Sequence, residues 1–155
     1  MKVAVITISD RAFRGEYADL SGPEIERAVL SLDAAAEVSR KVVPDDEREI
    51  RGALEAAAGA DFILTTGGTG ISPRDVTPEV TMKFCDKELP GIAEVLRAQS
   101  YRQTPAAVLS RAYAGLHGRS VVVNFPGSLN AVRLCMRVLG PVMEHAVRML
   151  DGASH

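Results

Sequence analysis

Short apolar segments alternate with longer amphipathic segments along this 155-residue chain. The short segments are bounded by turn residues and are too short for buried helices, so they are typical of strands that are covered on both faces. They predict strands at Val3–Ile8, Ala36–Val43, Phe62–Thr66 and Ser120–Phe125.

The segments between these strands begin with helix-start signals. Ser21, with Glu24 three residues later, has the capping-box pattern, and Asp45 or Asp46 can cap the helix after the second strand. The predicted helices are Ser21 to about Asp33, Glu47–Ala58, Pro78 to about Asp86, Pro90 to about Tyr101, and a terminal region, Leu129–Leu139 and Val142–Leu150, interrupted at Gly140-Pro141. Segment 106–118 carries mixed signals and allows a strand, a helix or a hairpin.

Alternating strands and helices with short connections predict an α/β fold, a mostly parallel sheet covered by helices on both faces, in a single domain of residues 1–155. Ligands of such sheets bind outside the carboxyl ends of the strands. The four predicted strands end in polar stretches, which are Ser9-Asp10, Pro44-Asp45-Asp46, Thr66-Gly67-Gly68-Thr69-Gly70 and Asn124-Phe125-Pro126-Gly127-Ser128. We therefore expect one site built from four loops along one edge of the sheet.

The third of these stretches carries the clearest chemical signal. Three glycines, Gly67, Gly68 and Gly70, follow an apolar strand and precede the helix start Thr77-Pro78-Glu79. Glycines let backbone amides approach an anion and tolerate positive φ, so the stretch predicts a phosphate site. The alternative is that the glycines only make a tight corner, and their spacing matches neither a P-loop nor the GxGxxG fingerprint.

Arg74 and Asp75 place two charged groups beside this predicted phosphate site. Arg74 can pair with phosphates through its planar fork of donors. An aspartate would be repelled by phosphate, so Asp75 is predicted to hold a divalent cation that bridges to phosphate oxygens. Asp45 can supply a second carboxylate if Asp46 caps the helix, and otherwise Asp45 is itself the cap. Two carboxylates plus substrate phosphates suit Mg²⁺ and favour transfer at a nucleotide phosphate.

The remaining polar positions are less specific. Ser128 and the Pro126-Gly127 turn are predicted to donate to a ligand, with a simple turn and helix cap as the alternative. Ser9 and Asp10 are weaker candidates for substrate contact, because Asp10 can also simply begin a turn. Spacing alone gives no specific role to three further residues, which are by default interpreted as surface polar residues: Ser100, Ser110 and Arg111.

Composition and charge argue against several classes of function. The formal net charge is −2, no basic run stands out and tryptophan is absent, so nucleic-acid binding is not predicted. The apolar run at the N-terminus is too short for a signal peptide or a membrane span, and a cytoplasmic protein is expected. Cys85 and Cys135 lie in different predicted helices and the three histidines are scattered, so neither a disulfide framework nor a zinc site is predicted.

Together these motifs resemble a known family. The segments that carry the resemblance are Val43-Pro44-Asp45, Thr65–Gly70, Pro73–Pro78, Leu109-Ser110-Arg111 and Asn124–Ser128. They resemble the molybdenum-cofactor biosynthesis family, the molybdopterin-binding domain of MogA, MoaB and the gephyrin amino-terminal domain. The likeness extends from Val3 to about Leu150, with one departure, Leu129, where many members have proline.

The resemblance implies a three-layer α/β/α sandwich that assembles as a homotrimer, or as a hexamer in some MoaB-like members. It implies Mg²⁺-dependent adenylylation of molybdopterin by ATP, with release of pyrophosphate, and hand-over of the product to a molybdate-insertion protein. The family's essential aspartates match Asp45 and Asp75, and its nucleotide-holding loop matches Thr66–Gly70. The positions near the pterin and its phosphate match Ser100, Ser110 and the Pro126-Gly127-Ser128 turn.

Two other functions stay open. Some members of the family have the fold without established activity, so a non-catalytic pterin-binding or assembly module of the MoaB type is the main alternative. The presence of both aspartates and of Arg74 favours the enzyme. A nucleotide pyrophosphatase related to the competence-damage family is less favoured, because those chains are usually longer.

Overall fold

The computed structural model describes residues 1–152, which form one six-stranded sheet with helices on both faces. The strands are β1 (Lys2–Ile8), β2 (Glu37–Val43), β3 (Phe62–Thr66), β4 (Lys87–Glu88), β5 (Ala114–His117) and β6 (Ser120–Phe125). They are ordered β2-β1-β3-β6-β5-β4, with β2, β1, β3 and β6 parallel and with β5 and β4 antiparallel to their neighbours. All four strands predicted from the sequence are confirmed.

The helices complete three layers. They are α1 (Asp10–Phe13), α2 (Ser21–Leu32), α3 (Glu47–Ala57), α4 (Thr77–Phe84), α5 (Pro90–Tyr101) and α6 (Leu129–Leu150). Buried residues of α2, α5 and α6 share one core with the sheet, and those of α3 and α4 share the other. The expected α/β/α sandwich is therefore confirmed. Across residues 1–152, no helix combines the length and apolar character needed to cross a bilayer.

Successive residues of the central strands enter opposite cores. Val3 and Val5 pack in the core of α2 and α6, whereas Ile6 and Ile8 pack in the core of α3 and α4. Burial on both faces explains why these strands are apolar throughout and do not alternate with polar residues. Each fully buried aliphatic side chain stabilises the fold by about 1.5–3 kcal/mol, so the two cores fix the carboxyl ends of the strands.

The segment with mixed signals forms two elements. Pro105–Leu109 is a 3-10 helix, and β5 then pairs with β6 through a tight turn in which Gly118 has a φ of +55°. The two-residue β4 pairs with β5 and was not predicted, because so short a strand has no periodic pattern.

The capping-box prediction at Ser21 is wrong. Ser21 lies inside α2, and the carboxylate of Asp19 accepts hydrogen bonds from the amides of Ser21 and Gly22, both at 3.0 Å. The Ser21 hydroxyl instead donates to the carbonyl of Gly127 at 3.0 Å. A charged carboxylate two residues upstream is the stronger partner for the free amides of the first turn.

The predicted interruption at Gly140-Pro141 is also wrong, because α6 runs unbroken from Leu129 to Leu150. Proline in a helix interior removes one hydrogen bond and crowds the preceding turn. Here Leu139 and Met143 on either side are buried in the core, and Gly140 lies against Leu32 of α2. Tertiary packing therefore overrides the local preference for a break.

Candidate active site

Gly67 and Gly68, the first two residues of the glycine loop after β3 (residues 67–70), pass too close to their neighbours to carry side chains. Gly67 and Gly68 have φ values of +102° and +63°, in the left-handed region. A Cβ on Gly67 would overlap the carbonyl oxygen of Ile8, and one on Gly68 would overlap the Thr77 hydroxyl. Thr77 holds the loop from the start of α4, donating from its hydroxyl to Gly67 O at 2.9 Å and from its amide to Gly68 O at 3.1 Å.

Two neighbouring cavities share this loop as a wall. The larger cavity, of about 610 Å³, has an apolar floor from α5 and α6, and the smaller cavity, of about 340 Å³, lies against β1 and α2. Gly67, Gly68 and Gly127 line both. Of the other predicted site residues, the larger cavity has Thr69, Gly70, Asp75, Ser100, Ser110, Pro126 and Ser128, and the smaller has Ser9, Asp45 and Thr66. The edge of the sheet thus brings together residues from all four predicted loops.

Asp45 faces the smaller cavity because Asp46 caps α3. The Asp46 carboxylate accepts from the amides of Arg48 and Glu49, at 2.9 and 3.2 Å. Asp45 Oδ1 comes within 3.2 Å of the position that a Cβ on Gly68 would take. Of the two interpretations left open, the structure therefore has Asp46 as the cap and Asp45 beside the glycine loop.

The electrostatic environment of Asp45 favours a cation. Burial raises the pKa of the Asp45 carboxyl, and the negative charges of Asp10 and Asp75 raise it further, against the opposing effects of the Asp10 amide and Arg74. A half-buried carboxylate next to like charges is unfavourable unless positive charge compensates it.

Asp75 stands on the other side of the glycine loop, facing the larger cavity. Its Oδ2 accepts from the Ser72 amide at 2.8 Å and comes within 2.9 Å of the position that a Cβ on Gly70 would take. Asp45 is close enough for the Asp75 charge to affect its pKa. The two predicted metal ligands therefore flank one loop, Asp45 at Gly68 and Asp75 at Gly70.

These two carboxylates fit a magnesium ion that binds together with phosphates. Each has one oxygen held by a backbone amide, and within residues 1–152 the other oxygen accepts no hydrogen bond. The same part of the chain contains no group of three or more His, Cys, Asp or Glu residues that could enclose a metal. Mg²⁺ usually binds one or two carboxylates and takes its other ligands from water and substrate phosphates, so an incomplete protein shell is suitable.

Arg74 and Asp10 lie beside the cavities and pair with each other. The guanidinium donates to Asp10 Oδ2 from Nη2 at 2.6 Å and from Nε at 3.1 Å. This contact holds the pKa of the Asp10 carboxyl below its usual range. Substrate contact by Arg74 and Asp10 stays a prediction, and Arg74 is the more exposed partner of the pair.

The predicted serines have different surroundings. Ser100 is buried and lines the larger cavity. Ser110 lines the same cavity, and its carbonyl accepts a hydrogen bond from Arg97 at 2.9 Å. Ser128 both caps α6, accepting from the Ala131 amide, and lines the larger cavity. The turn before it is held by the buried Thr66 hydroxyl, which donates to the carbonyl of Pro126 at 2.9 Å. Ser9 caps the short α1 and contacts the Tyr17 hydroxyl at 3.0 Å.

The sequence interpretation missed the role of Arg111. This residue is not a simple surface position, because its guanidinium contacts the glycine loop, the backbone of Asp75 and the carboxylate of Glu79. No spacing rule predicts such contacts across the fold. The one available signal was the Leu109-Ser110-Arg111 segment within the family resemblance.

Comparison with known proteins identifies the family of this chain. Residues 4–145 match the family model described as a probable molybdopterin binding domain. The chain is 42% identical to the molybdopterin adenylyltransferase of Pyrococcus furiosus over 154 residues, covering 95% of this chain and 89% of that protein.

Solved structures agree in fold. The crystal structure of the molybdopterin biosynthesis enzyme MoaB from Thermus thermophilus superposes with a TM-score of 0.87 at 42% identity, covering 98% of this chain and 97% of that one. A structure of MogA superposes with a TM-score of 0.91 at 38% identity, covering 97% and 99% of the two chains. The protein with this glycine loop and paired aspartates therefore belongs to the molybdopterin-binding domain family of molybdenum-cofactor biosynthesis proteins.

Proposed function

We propose that this protein is a molybdopterin adenylyltransferase, which joins the adenylyl group of ATP to the terminal phosphate of molybdopterin and releases pyrophosphate. The observation that carries the proposal is the placement of Asp45 and Asp75 on either side of one glycine loop between two cavities. Relatives that carry this name, at 36–42% identity over most of their length, support it.

The chemistry needs no general base from the protein. The attacking group is a phosphate that is already anionic near neutral pH, so the difficulty is bringing two anions together. Cys135 lines the larger cavity, but burial raises the pKa of its thiol to about 12, which makes it a poor nucleophile at neutral pH. Positioning and neutralisation of charge are therefore the main contributions of this chain.

Asp45 and Asp75 would hold the Mg²⁺ ion. When bound, the ion offsets negative charge on the triphosphate and on the leaving pyrophosphate. The glycine-loop amides orient the phosphates, and Arg74 can exchange its exposed contact with Asp10 for a phosphate. Ser100, Ser110 and Ser128 in the larger cavity are assigned to the pterin and its phosphate, and the apolar floor of that cavity suits a ring system.

The assembly and cellular setting are proposed from the family resemblance. We propose a homotrimer, with a hexamer as the alternative, that works in the cytoplasm and hands its product to a molybdate-insertion protein. Sedimentation of the purified protein tests the first of these points.

The decisive assay mixes purified protein with ATP, Mg²⁺ and molybdopterin and follows both products. The proposal predicts adenylyl-molybdopterin and pyrophosphate in equal amounts, with neither formed when Mg²⁺ is chelated. Binding of molybdopterin without consumption of ATP would identify a non-catalytic pterin-binding module. Release of pyrophosphate from ATP in the absence of molybdopterin would instead identify a nucleotide pyrophosphatase.

A further inference from the structure

The segment between Gly70 and Asp75 has little support of its own. Residues 71–74 are all exposed, and the hydrogen bonds within the segment join Ser72 to Asp75 and Arg74 to Ser72. Yet this segment leads into Asp75, a proposed metal ligand, which must keep a fixed position relative to the glycine loop. Arg74 pairs with Asp10 outside the segment, but a contact that joins Gly70 to Asp75 is also needed.

Arg111 makes that contact. Its Nε donates to the carbonyl of Gly70 at 2.7 Å and its Nη2 donates to the carbonyl of Asp75 at 2.6 Å. These donors belong to one edge of a rigid, planar guanidinium, so the two carbonyls are held at the fixed spacing of that edge. The Arg111 amide adds a third contact by donating to the carbonyl of Thr69 at 2.8 Å.

The other edge of the guanidinium fixes it to α4. Nη1 donates to Oε1 of Glu79, in the first turn of that helix. Burial acts to raise the pKa of the Glu79 carboxyl, but the hydrogen bond and charge of Arg111, together with a backbone hydrogen bond and the charge of Lys83, outweigh it and leave the pKa lowered. The contact therefore favours the ionised form of Glu79 and keeps Arg111 oriented toward the loop.

We propose that Arg111 is a positioning residue for adenylyl transfer. It does not line either cavity. It acts through the main chain of Gly70 and Asp75, setting the distance between the phosphate-binding amides and the Asp75 carboxylate. The catalytic consequence of this inference rests on the proposed function. The contacts of Arg111 with the carbonyls of Gly70 and Asp75, which we call the clamp, do not depend on a bound substrate.

The test uses Arg111→Lys, which keeps the charge but lacks the planar pair of adjacent donors, with Arg111→Met as a second variant. Arg119→Lys is the matched control, because the Arg119 guanidinium also joins two distant segments, here through the carboxylates of Asp61 and Asp151, and lies away from both cavities. Glu79→Gln separates the two edges of the guanidinium, since it removes the ion pair and leaves both carbonyl contacts.

The first readout is hydrogen exchange of residues 71–76 in the unliganded protein. We expect faster exchange in Arg111→Lys and Arg111→Met, a smaller change in Glu79→Gln, and none in Arg119→Lys. The second readout is adenylyl transfer as a function of Mg²⁺ concentration. Displacement of a reacting group by about 1 Å can cost about 100-fold in rate, so we expect a loss of this order in kcat for Arg111→Lys, a smaller change in the KM for molybdopterin, and a higher Mg²⁺ requirement.

Wild-type exchange in the loop together with a wild-type Mg²⁺ requirement in Arg111→Lys would overturn the inference. If the wild-type protein forms no adenylyl-molybdopterin, the proposed function fails, and faster loop exchange in Arg111→Lys still supports the clamp. Active wild-type protein with unchanged exchange in both Arg111 variants rejects the clamp and leaves the proposed function standing.

Discussion

Asp10 and Asp45 hold each other by a reciprocal pair of hydrogen bonds. The Asp10 amide donates to Asp45 Oδ2 at 2.8 Å, and the Asp45 amide donates to Asp10 Oδ1 at 3.1 Å. The pair joins the carboxyl ends of β1 and β2, so the orientation of the Asp45 carboxylate is set by backbone that the core already fixes. One oxygen is thereby restrained and the other is left toward the glycine loop.

Substituting the neighbours Asp45 and Asp46 should separate catalysis from helix capping. Asp45→Asn keeps an oxygen for the Asp10 amide but loses the charge, and we expect adenylyl transfer to fall by about 100-fold with the melting temperature nearly unchanged. Asp46→Ala should remove the cap of α3 and cost about 1 kcal/mol of stability with turnover intact. Thermal melts and pyrophosphate release check both, and the reverse pattern would show that Asp45 is the structural residue.

A methyl group on the glycine loop should damage both fold and site. Gly67→Ala would bring a Cβ against the backbone of Ile8 at positive φ, and we expect a loss of about 1–3 kcal/mol in the free energy of unfolding together with loss of nucleotide binding. Gly52→Ala is the matched control, because Gly52 lies on the exposed side of α3 with nothing near its Cβ position.

The control should stabilise the protein by about 0.5–1 kcal/mol, since alanine is the better helix former. Denaturant unfolding measures both changes. A Gly67→Ala protein as stable as wild type would contradict the close approach of β1 to the loop.

The ionisation of Glu24 should make the stability of the fold depend on pH in the acid range. Hydrogen bonds from Arg27 and Arg133 lower the pKa of the Glu24 carboxyl from 4.5 to about 2, and Arg133 thereby links α6 to α2. Because the pKa of the folded state is the lower one, the contribution is fully present above pH 4.5 and is lost as the pH falls toward 2.

The measurement is the difference in melting temperature between wild type and Glu24→Gln across this range. We expect wild type to be the more stable at pH 7 and the difference to shrink between pH 4.5 and 2. A difference that is constant with pH would show that the ion pairs do not contribute, as is common for exposed pairs.

The features that could be predicted from the sequence are those set by local pattern. Apolar runs such as Val3–Ile8 identify buried strands. The rule that ligands bind at the carboxyl ends of strands then predicts that the loops after these strands share one site, and the structure has Asp45 beside Gly68. The adjacent Asp46 left the capping question open, and only the folded structure shows which aspartate caps α3.

The features that were missed depend on contacts between distant segments. Arg111 meets Gly70 and Asp75 across separations of 41 and 36 residues, so nothing near Arg111 in the sequence indicates them. The helix through Pro141 persists because buried neighbours outweigh the local cost. In both cases the outcome depends on tertiary contacts, which local sequence preferences do not predict.

The central claim, that Asp45 and Asp75 serve one metal ion, is tested most directly by a double-mutant cycle on the rate of adenylyl transfer. Single-turnover rates are measured with saturating ATP, Mg²⁺ and molybdopterin for wild type, Asp45→Asn, Asp75→Asn and the double variant. If the two carboxylates act as a unit, each single variant should lose about 100-fold and the double variant should be no slower than the slower single variant. If the losses instead multiply to about 10,000-fold, the two aspartates act independently and the shared metal site is contradicted.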